Sequence, residues 1–207
     1  MGTEVQGTVT VGGQKVQVKA DFASDHVTFS GGRRGEVPYS KIQVVGTGKG
    51  VLRLRVDDAL MEFPLGEKVD RMANKIRSPP TLVEKLGVKP GMKVAGLDLP
   101  SALVKQLKTA ATFSEREPAQ PVQMMFLGIK GVEGLERLEG LVRRIHPDGA
   151  IWVVYPKGKR DIRESDVLAA GRAVGLKDVK VARISTNHTA LKFMIPVADR
   201  QAPPAEA

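Results

Sequence analysis

The chain has 207 residues, of which 42% are hydrophobic and 27% charged, the balance of a folded globular protein rather than a disordered chain. It contains no cysteine, which excludes disulfides and thiolate metal sites and agrees with a reducing compartment. We find no secretory signal and no apolar run near the roughly 20 residues of a transmembrane helix, so we expect a cytoplasmic protein.

The net charge of +9 is distributed over the chain rather than concentrated. Residues 1–80 carry a net +3 and residues 81–207 a net +6, with acidic residues interleaved in both. A nucleic-acid-binding surface usually combines a basic stripe with stacking aromatics, and aromatics make up only 4% here. A nucleic-acid accessory role therefore stays a minor alternative, and nucleic acid is not the partner we expect.

The first 63 residues alternate apolar and polar side chains in short runs that end at glycines or other turn residues. Alternation with period two predicts six or seven antiparallel strands, which suggests a small barrel or sandwich. Val69, Met72, Ala73 and Ile76 then follow helical spacing. Strands closed by one helix resemble the order of pleckstrin-homology-like domains, so we predict a β-rich module of this kind over 1–78.

Ser78-Pro79-Pro80 ends the helix, because proline lacks the amide donor and restricts the residue before it. Beyond this boundary, strand patterns alternate with helical ones up to residue 198. Such alternation predicts a Rossmann-like α/β domain with a mainly parallel sheet. The last two strands are too close for a helical crossover, so we expect an antiparallel hairpin at the sheet edge. The tail 199–207 is predicted to be disordered.

The turn after the first strand of this domain is where a nucleotide-binding fold places glycines. Here it reads Asp98-Leu99-Pro100, and Gly96 lies within the strand. Because proline offers no amide and leucine is bulky, we expect no bound nucleotide cofactor. Asp98 is a crevice residue that we interpret as a partner of the following helix N-terminus rather than as a catalytic acid.

A second candidate site follows the most apolar strand, which ends at Tyr155. It contains four cations that could bind phosphate or carboxylate: Lys157, Lys159, Arg160 and Arg163. The alternative is a solvated turn whose cations pair with neighbouring carboxylates.

Other polar clusters in the sequence have simpler interpretations. His26, His146 and His188 are far apart and lack metal-ligand spacing, so we predict neither a metal site nor catalytic residues. Arg33, Arg34 and Lys41 surround a glycine-rich loop. Such a loop binds acidic lipid headgroups in some pleckstrin-homology-like domains, but we interpret this one as a solvated loop.

Two tracts carry a further resemblance, LVEKLGVKPGMKVAGLDLP (82–100) and the stretch from IHPDGAIWVVYPKGK to NHTALKF (145–193). They resemble a bacterial family of short Rossmann-like proteins with a domain of unknown function, which is itself similar to S-adenosylmethionine methyltransferases. The resemblance implies architecture but no catalytic residues.

We therefore expect a non-catalytic binding or regulatory protein with a degenerate methyltransferase-like domain and no cofactor. Its partner would be a protein or an anionic small molecule. The main alternative is an S-adenosylmethionine-dependent methyltransferase-like enzyme with an atypical cofactor loop near Asp98. Fold analogy alone does not decide between them, because similar sheets host many activities.

Overall fold

The computed structural model describes residues 3–158 and 161–200, and the chain divides into two compact units, residues 1–81 and 82–207. No helix within these described ranges is long and apolar enough to cross a membrane.

The first unit is a single curled antiparallel sheet with strand order β4-β3-β2-β1-β7-β6-β5. Gly12 and Gly13 both have positive φ and form the two-residue turn between its first two strands, a conformation that glycine adopts without strain. The strands are β1 (Thr3–Val11), β2 (Gln14–Phe22), β3 (His26–Gly31), β4 (Gly35–Pro38), β5 (Gln43–Gly48), β6 (Val51–Val56) and β7 (Ala59–Pro64).

One helix, α1 (Val69–Arg77), packs against this sheet and buries the four side chains that its spacing predicted: Val69, Met72, Ala73 and Ile76. The core beneath it contains Phe22 and Phe63, whose ring centroids lie 5.3 Å apart at 90°. β4 and β5 form the two edges of the sheet, so the unit is a curled half-barrel where we expected a small barrel or sandwich. A pleckstrin-homology-like assignment stays a prediction.

The second unit is a six-stranded sheet with helices on both faces and strand order β12-β13-β11-β10-β8-β9. Its strands are β8 (Lys93–Leu97), β9 (Thr112–Ser114), β10 (Val122–Gly128), β11 (Ile145–Pro156), β12 (Lys177–Arg183) and β13 (His188–Met194). Its helices are α2 (Leu82–Leu86), α3 (Ser101–Ala110), α4 (Leu138–Val142) and α5 (Glu164–Ala173), with a 3₁₀ turn, Val132–Arg137, before α4.

The predicted fold class, a mainly parallel Rossmann-like sheet, is wrong: the second sheet is mixed, and the chain as a whole is mostly antiparallel. β8, β9, β10 and β11 are parallel, but β13 runs antiparallel to both β11 and β12. The cause is the tight connection between the last two strands, which is too short for a crossover. After α5 the chain enters at the sheet edge as β12 and turns back, so β13 inserts beside the central strand β11.

The helical pattern of residues 131–145, with apolar side chains at 132, 135, 138, 142 and 145, yields only the 3₁₀ turn and the five-residue α4. Gly134 and Gly140 interrupt the sequence, and glycine lowers helix stability. The apolar stripe is nevertheless used, since Leu135, Leu138 and Leu141 are buried against the sheet.

Candidate functional site

The order of the parallel strands creates a topological switch point between β8 and β10. From β8 the chain passes through α3 to β9 on one side, and then returns to β10 on the other. Leu103 and Leu107 of α3 pack on one face of the sheet, whereas Leu138 and Leu141 of α4 pack on the opposite face. Ligands of open α/β sheets bind in the crevice that this divergence opens beyond the carboxyl ends of the strands.

A cavity of about 210 Å³ lies at this point. It is lined by residues at or just beyond the carboxyl ends of the parallel strands and by the first residue of β13: Asp98, Leu99, Pro100, Gly128, Ile129, Lys130, Val154, Pro156 and His188. Cavities that enclose a drug-sized ligand usually measure about 300 to 1,000 Å³. This crevice is therefore suited to a smaller molecule.

Side chains rather than open space surround the end of β8. A Cβ built on Gly96 would lie 2.5 Å from Leu99 Cδ1 and 2.8 Å from Phe113 Cζ, so these two side chains occupy the space beside the glycine. Pro100 contributes no amide hydrogen, and its carbonyl accepts the first helical hydrogen bonds of α3, from Leu103 and Val104. Gly96 thus makes room for the side chains of Leu99 and Phe113 rather than for a ligand.

β10 approaches the same turn very closely. A Cβ on Gly128 would meet the backbone carbonyl of Asp98, whereas the glycine itself fits beneath it. Asp98 has a φ of 55°, in the left-handed region that non-glycine residues seldom occupy. Such conformations cluster at functional sites, and here the packing of Gly128 holds one in place.

Contrary to our interpretation of the sequence, the carboxylate of Asp98 makes no capping hydrogen bond to the N-terminus of α3. The N-cap residue of that helix is Pro100, which makes no side-chain cap. Asp98 Oδ2 instead accepts a hydrogen bond from Arg137 Nη1 at 2.6 Å. The negative charge at the crevice is therefore balanced by a guanidinium from the 3₁₀ turn.

The basic segment after β11 is described only in part, because Lys159 and Arg160 lie outside the described residues. Lys157 directly follows the crevice residue Pro156 and is anchored through its backbone amide, which donates to Asn187 O at 2.8 Å. Arg163 is the N-cap residue of α5, and its amide donates to Asp166 Oδ2 at 2.8 Å. Lys157 and Arg163 stay candidates for anion binding.

Two polar crevice residues, Lys130 and His188, were missed by the sequence analysis. Lys130 comes just after the apolar strand β10, so a cation directly after a buried parallel strand was the available signal. His188 begins β13 and pairs with Pro156 of β11, which brings it to the crevice. No local pattern predicts that pairing.

The hydrogen bonds around His188 favour one of its two neutral tautomers. Ser185 Oγ accepts the backbone amides of Asn187 at 3.2 Å and His188 at 3.1 Å. Its hydroxyl hydrogen is then directed to His188 Nδ1, 3.3 Å away. With Nδ1 accepting, the neutral imidazole carries its hydrogen on Nε2. His188 therefore offers an N–H donor from the ring edge opposite Ser185.

Tyr155 lies at the end of β11 with only 3% of its surface exposed. Burial raises the pKa of its hydroxyl to about 12, and the nearby carboxylate of Glu164 adds to the effect. Tyr155 thus stays protonated in the folded chain at pH values where an exposed tyrosine ionises.

Tyr155 is expected to make stability depend on pH between 10 and 12. The unfolded tyrosine ionises near pH 10 and the folded one near 12, so this contribution is complete below pH 10 and lost as pH rises to 12. The two-unit difference corresponds to about 2 to 3 kcal/mol. Urea unfolding across this window should show a steeper loss for the unmodified chain than for Tyr155→Phe; parallel curves would contradict the assignment.

No protein-family model matches the chain, and no curated protein matches it. Solved structures do show a likeness. An S-adenosylmethionine-dependent methyltransferase from Aquifex aeolicus matches 56% of this chain and 88% of its own, with 16% identity and a TM-score of 0.41. A ribosomal protein L11 methylase from Lactobacillus delbrueckii subsp. bulgaricus matches 55% of this chain and 74% of its own, with 11% identity and a TM-score of 0.41.

A TehB-like S-adenosylmethionine-dependent methyltransferase from Corynebacterium glutamicum matches 61% of this chain and 95% of its own, with 14% identity and a TM-score of 0.37. All three proteins are thus named as methyl-transferring enzymes. Their TM-scores lie below 0.5, so the likeness assigns no activity to this chain. An activity has to be argued from the residues of the crevice.

Proposed function

We propose that the second unit is a small-molecule-binding module whose site is the crevice between β8 and β10, and that it does not catalyse methyl transfer. The supporting observation is the position of Leu99, whose side chain fills the space beside Gly96. A cavity lies at the switch point, where such sheets hold ligands, but Leu99 and Pro100 stand where a nucleotide-binding fold places glycines.

The crevice residues also favour binding over chemistry. The described lining contains no serine, threonine or tyrosine that could act as a nucleophile. Its carboxylate, Asp98, is paired with Arg137 and is not positioned next to a group that it could deprotonate. What the lining does supply is an apolar wall with a few polar groups, the composition of a binding pocket.

A second candidate is a methyltransferase-like enzyme that uses S-adenosylmethionine with an atypical loop at Asp98. The left-handed backbone of Asp98, at the mouth of the switch-point crevice, favours this candidate. It is also the activity in the names of the matched structures. Under this candidate, Leu99 would have to move away from Gly96 when the cofactor binds.

The two candidates differ in their response to S-adenosylmethionine and S-adenosylhomocysteine. Ligand at 100 times its Kd would stabilise the folded chain by about 2.7 kcal/mol, which a melting experiment detects readily. We expect neither compound to raise the melting temperature at millimolar concentration. A saturable increase with either would reject the non-catalytic proposal in favour of the enzyme.

The proposed binding of a small molecule in the crevice is tested by methyl NMR of the intact chain. Leu99, Ile129 and Val154 line the crevice and report on its occupancy. In a panel of small neutral, cationic and anionic aromatic compounds, at least one should shift these methyl signals saturably while leaving those of the first unit unchanged. If no compound moves them at millimolar concentration, the crevice is not a binding site.

A further inference from the structure

We propose that the ligand of the crevice is a small organic anion, with a carboxylate or phosphate group joined to a compact apolar body. This inference rests on the proposed function and names the chemistry of its ligand. It is based on the charges that remain at the crevice once Asp98 has paired with Arg137.

Among the described residues that line the crevice, one is a carboxylate, Asp98, and it already has a cationic partner. Asp98 binds Arg137 at 2.6 Å, so it does not offer a free negative charge to a cationic ligand. Lys130 is exposed at the end of β10 and makes no ion pair within the part of the chain that the structure describes. Lys157 follows the lining residue Pro156 directly. The charge available to a ligand is therefore positive.

His188 adds a directed donor to this positive charge. Because the Ser185 hydroxyl is directed to Nδ1, the neutral ring presents Nε2–H. An anionic oxygen would accept from this N–H and from the Lys130 ammonium, and hydrogen bonds to charged groups are the stronger class. A cationic ligand would meet this donor and the ammonium instead, and the carboxylate of Asp98 is already paired with Arg137.

The rest of the lining accounts for the apolar body of the ligand. Leu99, Ile129, Val154 and Pro156 provide hydrocarbon surface along the parallel strand ends. The volume of about 210 Å³ equals that of roughly seven water molecules at about 30 Å³ each. This is room for a single ring with its acidic group rather than for an extended chain.

The first test compares four ring compounds that differ in charge: benzoate, phenyl phosphate, benzyl alcohol and benzylamine. Binding to the intact chain is followed by the methyl signals of Leu99, Ile129 and Val154. We expect benzoate, phenyl phosphate or both to bind at least tenfold more tightly than the alcohol and the amine, and to weaken with added salt. The stronger of the two anions identifies the acidic group as carboxylate or phosphate.

The second test removes each donor separately. Lys130→Met keeps the side-chain length without its charge. His188→Asn removes the Nε2–H donor, whereas His188→Gln places an amide N–H near the Nε2 position. Lys130→Met and His188→Asn should each weaken anion binding about tenfold, and His188→Gln should retain much of it. Lys177→Met, at an exposed lysine of β12 away from the crevice, is the charge-matched control and should change affinity less than twofold.

The outcomes separate this inference from the proposed function. If benzyl alcohol or benzylamine binds as tightly as the anions, the crevice is a binding site but the anion inference is wrong. Unchanged anion affinity in both Lys130→Met and His188→Asn would equally overturn it. If none of the four compounds shifts the crevice methyl signals, both the inference and the proposed function fail. The ligand comparison uses the unmodified chain and so does not depend on the folding of any variant.

Discussion

Replacing Gly128 by alanine is expected to destabilise the second unit by about 3 kcal/mol or more, at the upper end of overpacking effects. The added Cβ would collide with the backbone carbonyl of Asp98, and backbone cannot rotate away as the tip of a side chain can. Either β10 or the turn after β8 must shift, and both border the crevice. Ligand binding in the crevice should be lost together with stability.

Gly140→Ala is the matched control, because a Cβ at Gly140 meets nothing within 4 Å. Gly140 lies in the helix α4, where alanine is favoured over glycine by about 1 kcal/mol. Urea unfolding should therefore show a neutral or slightly stabilised Gly140→Ala beside a strongly destabilised Gly128→Ala. A Gly128→Ala protein within 1 kcal/mol of the unmodified chain would refute the close approach of β10 to Asp98.

The second large effect is expected at Trp152, in the middle of β11. Its side chain is fully buried, stacks on Phe126 with ring centroids 6.4 Å apart, and donates from Nε1 to Leu86 O at 3.1 Å. Trp152→Ala should cost about 3 to 5 kcal/mol through the cavity it leaves. That loss would leave the second unit marginal or unfolded.

Trp152→Phe separates packing from hydrogen bonding. Phenylalanine retains a buried ring but leaves Leu86 O, at the end of α2, without its donor, which costs about 1 to 3 kcal/mol. Circular dichroism during urea unfolding ranks the variants, with alanine expected to be worse than phenylalanine. Equal stability of Trp152→Phe and the unmodified chain would show that the indole hydrogen bond contributes nothing.

Local pattern predicted the elements of this chain better than their arrangement. The spacing of Val69, Met72, Ala73 and Ile76 determines which face of α1 is buried, and the short loop before His188 requires an antiparallel hairpin. The pairing of β13 with β11 is different, because alternation within a strand does not specify its neighbour. That pairing adds a second antiparallel pair beside the hairpin of β12 and β13, in a sheet that was predicted to be mainly parallel.

The candidate site, too, could be predicted from the sequence only in part. The turn Asp98-Leu99-Pro100 could be read from the sequence, because it replaces the expected glycines with a bulky leucine and a proline that lacks an amide hydrogen. The ion pair of Asp98 with Arg137 joins residues 39 positions apart, and His188 reaches the crevice only through the unpredicted pairing. Contacts of this kind depend on tertiary structure, so the positive charge of the crevice was not visible in the sequence.

The most direct measurement is a crystal structure of the full chain grown with equal concentrations of phenyl phosphate and S-adenosylhomocysteine. We expect electron density for phenyl phosphate alone, with its anionic oxygens at Lys130 and His188 and with Leu99 still packed on Gly96. Density for the adenosyl compound beyond β8, with Leu99 displaced from Gly96, would contradict this expectation.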